Sequence, residues 1–324
     1  MSLSFWPLIR DPLFRIDEKE VTFRRRGFEV SSPVARTHLE QVGTSFLLGY
    51  HLAIDSRDMT ELSETLSACD AEYQGFSYEG AAMGLGLLDA LSLGNKRRWQ
   101  RFLDGPANSH RYVVHVGLGW VVARLPWLRS RPERAIAKLD PLLKWLVLDG
   151  YGFHEGYFHW KKWSPETKRR PPFSGYASRA FDQGLGRCLW FVSGGDVHRA
   201  VSFITAFDAD RHSDLWSGLG LACAYAGKPT ELELNFLMER AGKHLLHFRQ
   251  GITFGAEARE LAGIPTEHTE QTCRIACGMS AADAARITYA AIPSQIDVSN
   301  EAPAYETWRS QIREILGEEI PSCL

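Results

Sequence analysis

A glycine set in an apolar run returns about every three dozen residues along this chain. The runs centre on Gly43, Gly80, Gly117, Gly184, Gly218 and Gly251, with His154-Glu155-Gly156 as a poorer seventh match. Successive steps along these seven glycines are 37, 37, 39, 28, 34 and 33 residues, the range of helix-pair repeats, whose periods centre near about 34. Glycine inside a helix costs roughly 1 kcal/mol relative to alanine. So many of them are tolerable only where neighbouring helices approach backbone to backbone. The pattern therefore predicts an inner layer of glycine-bearing helices, each followed by an ordinary amphipathic one. The alternative is that the glycines mark turns between unrelated helices.

The intervening sequence supports helices. Thr230-Glu231-Leu232-Glu233 has the form of a capping box, and Leu234, Leu237, Met238, Ala241 and Leu245 follow at helical spacing. Asp196, Ser32-Pro33 and Ser280 with Asp283 open further helices, and Asn300 to Gly317 reads as the last one. Tyr112-Val113-Val114 is the only run that tempts a strand reading. The expected fold is all-α, with antiparallel helix-pair repeats forming a short α-solenoid of tetratricopeptide-like architecture or an α/α bundle, and few or no strands. Residues 1–30 read as an N-terminal extension and 31–324 as a single helical domain. Lys161, Lys162, Lys168, Arg169 and Arg170 mark a basic loop where the period stumbles. It is either a solvated face or a docking site for an acidic partner, and the Arg24-Arg25-Arg26 run poses the same choice.

The formal net charge of −2 gives no overall field for nucleic acid, and no apolar run is long enough to span a membrane. The start of the chain lacks the charge and apolar pattern of a secretory signal. The six cysteines do not suggest a disulfide scaffold, so the expected compartment is a reducing cytoplasm. Gly-x-Gly pairs at 84/86, 117/119, 184/186 and 218/220 never extend to the dinucleotide fingerprint. Phosphate-loop, His-Glu-x-x-His and Gly-x-Ser-x-Gly motifs are missing.

Two constellations carry possible chemistry. His110, His115, His154, Glu155 and His159 supply ligand types for iron, copper or zinc, with iron or copper the expected metal. Five residues along a helix separate side chains by about 140°, so ligands would have to come from several helices. Histidines bonded to backbone or carboxylates are the bland reading. His244 and His247, three apart, are better placed as a pair. The second constellation is Glu79, Asp182, Gln183, Arg187 and Gln250, of which Glu79, Gln183 and Gln250 each precede a repeat glycine. In a stacked array, equivalent positions line one surface. Glu79, Asp182, Arg187 and Tyr157 are the catalytic candidates. Tyr78, Trp120, Trp190, Trp216, Gln183 and Gln250 would bind an apolar ligand. Helix capping by the acidic and amide groups is the alternative.

Over nearly the whole chain from about residue 22, the sequence resembles the enediyne biosynthesis proteins of the UnbL type. The resemblance is carried by Arg25-Arg26-Gly27-Phe28, Tyr78-Glu79-Gly80-Ala81-Ala82-Met83-Gly84, Asp149-Gly150-Tyr151-Gly152-Phe153-His154-Glu155-Gly156-Tyr157, Phe181-Asp182-Gln183-Gly184-Leu185-Gly186-Arg187 and Pro303-Ala304-Tyr305-Glu306-Thr307-Trp308-Arg309. It implies an accessory protein of enediyne-type polyketide biosynthesis, acting on a polyene or polyene-derived intermediate. Implied partners are a polyketide synthase or carrier domain, other biosynthetic proteins and a hydrophobic small molecule. No catalytic residue is carried over, and similar proteins also occur outside such gene clusters. An oxidase- or desaturase-like enzyme with a metal-binding His/Glu site and a non-catalytic scaffold for a carrier protein both stay open.

Overall fold

The computed structural model describes residues 14–56, 58–92, 96–171, 173–294 and 303–319. Seven helices carry the close-packed glycines: α1 (Pro33–Asp55), α2 (Ala71–Leu91), α3 (Arg111–Arg124), α4 (Lys144–Trp163), α5 (Tyr176–Val192), α6 (His212–Ala222) and α7 (Leu245–Leu261). Two more, α8 (Ala281–Ala290) and α9 (Ala304–Glu319), pack against α7, and shorter helices such as Val197–Ala206, Glu231–Ala241 and Glu267–Cys277 connect the others. The described residues contain no strand, and Tyr112-Val113-Val114 lies in α3. The cap residues act as their chemistry dictates. The Ser32 hydroxyl accepts from the Ala35 amide, Asp196 from Arg199 and Ser280 from Asp283, and both bonds of the Thr230–Glu233 box are made. Asn300, expected to begin the last helix, lies outside the described residues.

The glycines show how the inner helices pack. Gly80 of α2 faces the Phe46 carbonyl of α1, and Gly84, four residues on, faces the Tyr50 carbonyl, also four on. The two helices therefore run parallel. The same relation joins Gly117 to Glu79, Gly150 to Val116, Gly184 to Asp149, Gly218 to Gln183 and Gly251 to Ser217. The seven inner helices thus stand side by side in one direction, with shorter outer segments returning the chain. Such approach brings Cα–H groups onto carbonyl oxygens, a weak bond repeated at each interface.

The Gly-x-Gly pairs have a structural reason. Two residues along a helix are about 200° apart, so the glycines of a pair face opposite neighbours. Gly117 meets α2 while Gly119 meets Val147 of α4. Gly150 and Gly152, Gly184 and Gly186, and Gly218 and Gly220 repeat this, each pair clasping the helix before and the helix after. Two of the repeat glycines need correction. Gly43 abuts Val21 of the N-terminal segment, and Gly156 lies against Cys188. The equivalent position in α4 is Gly150. The steps from Gly80 to Gly251 then become 37, 33, 34, 34 and 33, so the basic loop no longer interrupts the period.

The array curls until its last turn meets its first. Arg259 near the end of α7 donates to the Ala71 and Glu72 carbonyls at the start of α2, and its Nη2 donates to the Tyr225 carbonyl. His38 of α1 bonds the Ala226 carbonyl, and Tyr112 of α3 donates to Glu257 of α7. Residues 14–28 do not hang free of this ring. Phe14, Ile16, Val21, Phe23 and Phe28 are buried against it, and the Tyr157 hydroxyl of α4 donates to the Val21 carbonyl. On the far side α9 inserts Tyr305 and Trp308, both buried, with Trp308 4.6 Å from the Phe254 ring of α7.

Candidate functional site

Curling leaves two small chambers inside the ring, meeting at Arg187, Leu221 and Tyr225. The first is walled by Phe46, Trp120, Phe153, Tyr157 and Phe191 and is stoppered by Ile16 and Val21 of the N-terminal segment. The second is bounded by Val116, Leu146, Phe254 and Trp308. The first chamber has a volume of about 50 Å³ and the second about 40 Å³. As they stand, the chambers hold no more than a few water molecules.

Polar chemistry enters this apolar interior around Glu79 and Arg187, and again at Glu257, which lines the second chamber and accepts from Tyr112. Glu79 of α2 lines the first chamber and accepts a hydrogen bond from the Trp120 indole, 3.0 Å. Burial pushes its carboxyl up to about 7, with Arg187 and the Trp120 bond opposing and Asp149 reinforcing the rise. A carboxyl with that affinity exchanges its proton near neutral pH, which suits a general acid or base. Arg187 of α5 places Nη2 2.6 Å from Asp149 Oδ1 and lies 5.0 Å from the Phe153 ring centroid. Its Nε has no hydrogen-bond partner, and neither has the Tyr225 hydroxyl. Gln183 lines the second chamber and donates to Asp149, 2.9 Å, and to the Tyr305 hydroxyl, 3.0 Å. Burial also raises the Asp149 carboxyl, against the pull of Arg187 and Gln183.

Of the sequence candidates, the structure brings Glu79, Arg187, Tyr157, Trp120 and Gln183 to the chambers. The others are engaged elsewhere. Asp182 forms a buried ion pair with Arg211, 2.5 Å. Gln250 accepts from Ser217 and Arg309. Tyr78 stacks on His110, Trp216 meets Phe248 edge-on, and Trp190 is buried away from both chambers.

The imidazoles separate into distinct places. His115 Nδ1 sits 2.7 Å from the Arg111 carbonyl, and burial lowers both His110, to about 4, and His115. His154, Glu155 and His159 do cluster, with His154 Nδ1 3.4 Å and His159 Nε2 4.0 Å from the same Glu155 oxygen. Glu155 also accepts from Trp163, 2.9 Å. Among the described residues no three His, Cys, Asp or Glu side chains form a group able to hold a metal ion. His244 and His247 have ring centroids 6.3 Å apart. The basic loop is partly spoken for: Arg170 pairs with Asp208, 2.6 Å, and Asp210, 2.8 Å, and Arg169 covers Trp163. Arg25 and Arg26 pair with Glu20.

Sequence reasoning missed Asp149, although it directly precedes a repeat glycine as Glu79 does. Choosing Gly156 over Gly150 hid it. It also missed Tyr225, whose segment Cys223–Gly227 forms a turn of π-helix, and Arg309. That guanidinium is fully buried and reaches Asp214, 2.7 Å, and Glu306, 3.2 Å. No helix is long and apolar enough to cross a membrane among the described residues. Comparison with curated proteins and with solved structures gave no match. The family described as "Protein of unknown function (DUF1702)" matches residues 5–316, so nearly the whole of this helical ring is family sequence and the chain belongs to that family.

Proposed function

We propose that this is an accessory protein of enediyne-type polyketide biosynthesis whose ring interior takes up a hydrophobic polyene-derived intermediate. The observation that carries the reading is Glu79: a buried carboxyl, pushed up to about 7 by that burial and held by the Trp120 indole, at the wall of an aromatic chamber. Aromatic walls suit a flat conjugated chain. Glu79, held by Trp120, is placed to give or take a proton along that chain. The pathway comes from the sequence resemblance, and the polyketide synthase or a carrier domain would supply the ligand.

Uptake of a long chain requires the interior to widen. Residues 14–28 are the segment positioned to lift, because they stopper the chamber with side chains and are tied to the ring by isolated hydrogen bonds. These run from Tyr157 and Tyr50 to the Val21 and Phe14 carbonyls and from the Ile16 and Phe23 amides to His51 and Glu40. The test has two arms. The purified protein is titrated with a fluorescent conjugated tetraene, and a saturable rise in emission is expected. In a strain making an enediyne polyketide, Glu79→Gln in the chromosomal copy should lower downstream product while linear polyene accumulates. Unchanged product with the variant present at normal level overturns the reading.

A further inference from the structure

Resting on that reading, we infer that the ligand's polar end is a neutral carbonyl, seated at Arg187 where the two chambers meet. Arg187 lines both chambers and is buried, yet its Nε–H has no acceptor. Tyr225 also lines both, and its hydroxyl is likewise unpartnered. Buried donors without partners are rare in folded proteins. The Tyr225 hydroxyl packs against the Gly75 backbone of α2, so Arg187 is the donor at the junction that provides for an acceptor arriving with a ligand.

Charge decides what kind of acceptor. Asp149, 2.6 Å away, already balances the Arg187 guanidinium. Glu79 adds a second carboxyl facing the same space. Arg309, fully buried beyond Gln183 and Tyr305, shares Asp214 and Glu306 with Arg179 and Arg313 and lines neither chamber, so it does not meet a ligand there. A ligand carboxylate would therefore bring a third acidic group to one cation, and an uncompensated buried charge is heavily disfavoured. A ketone, aldehyde or ester oxygen accepts from Nε–H without adding charge. Its hydrocarbon then runs along Trp120, Phe153 and Phe191 in the first chamber.

The probes are a conjugated tetraene methyl ester, the matching free acid at pH 8 and the matching tetraene hydrocarbon, each titrated by fluorescence. A hydrogen bond to a charged donor should make the ester bind at least about tenfold tighter than the hydrocarbon. The acid should bind more weakly than the ester. With ¹³C at the ester carbonyl, the bound stretch should shift to lower frequency. The charge-balanced double variant Arg187→Met with Asp149→Asn should lose both the tenfold preference and the shift while still binding the hydrocarbon. Ester and hydrocarbon binding alike overturns the carbonyl seat and leaves the chamber reading standing. Acid binding as tightly as ester overturns the neutrality. Failure of all three probes to bind overturns the chamber reading and this inference with it.

Discussion

Gly251→Ala tests the architecture most directly. Gly251 lies in α7 against α6, where an added Cβ would fall 1.9 Å from the Ser217 carbonyl oxygen and 2.9 Å from the Leu221 amide nitrogen. An ordinary Cβ contact with such an oxygen is about 3.4 Å or longer, as close-packed interiors require. The two helices would have to part by roughly 1.5 Å along a rigid backbone face. Overpacking of this sort destabilises by about 1–3 kcal/mol and sometimes more. Helix propensity opposes it by about 1 kcal/mol. Because backbone cannot rotate away as a side chain can, the overpacking cost should lie just beyond that range, at about 4 kcal/mol, for a net loss of about 3 kcal/mol. With an unfolding entropy of roughly 2.1 cal/mol/K per residue, that lowers the melting midpoint by about 4 °C. Gly317→Ala is the internal control: it lies in α9, and its added Cβ meets only Leu246 Cδ1, at 3.7 Å. That variant should be unchanged or more stable, by at most about 1 kcal/mol. Both are measured by thermal and urea unfolding followed by circular dichroism. Gly251→Ala as stable as the parent would refute the claim that bare backbone contact shapes the ring.

Glu79 should leave a signature in the pH dependence of stability. Its folded affinity for a proton is raised from 4.5 to about 7, so stability falls as pH rises through that window and is flat above it. Glu79→Gln removes this slope, and the variant gains on the parent at pH 8 by about 3 kcal/mol at most. Glu257 and Asp182 are raised as well, to about 7 and about 6, so the parent-minus-variant difference in urea midpoint from pH 5 to 8 is the quantity to read; equal slopes refute the assignment. Asp182→Asn strands the buried Arg211 guanidinium and should lower stability by about 3–5 kcal/mol, yet leave tetraene affinity within about twofold at a permissive temperature, since Asp182 lines neither chamber. Lost affinity in folded protein would return Asp182 to the site. Phe28→Ala removes a ring 5.1 Å from that of Tyr157 and loosens the stopper segment. Stopped-flow uptake of the tetraene should speed up by at least about tenfold, the effect of about 1.4 kcal/mol of lost docking; an unchanged rate would place the way in elsewhere.

The glycine-to-carbonyl contacts explain why this interior is so narrow. Each inner helix from α2 to α6 lies against two others with almost no side-chain spacer, so the ring closes tightly and its axis is filled by aromatic groups. Arg187 and Glu79 are buried because their helices cannot stand further apart. Burial in turn raises the Glu79 carboxyl and leaves the Arg187 Nε–H without a protein acceptor. The packing and the site chemistry thus share one cause.

The sequence by itself determined the helical class, the caps and the repeat, because these rest on local chemistry: a hydroxyl beside a free amide, a glycine wherever a Cβ would not fit. It also marked Glu79 and Gln183, which hold the position just before a repeat glycine. What it left undecided was which glycine of α4 kept the register, and with that the role of Asp149. Only the tertiary structure separated Asp182 and Gln250, each taken by an arginine from elsewhere in the chain, from Arg187, which lines both chambers and keeps an Nε–H without a protein acceptor. Ring closure decided this, because it joins residues as distant as Arg259 and Ala71. No spacing along the chain encodes which face of a curled array ends up inside.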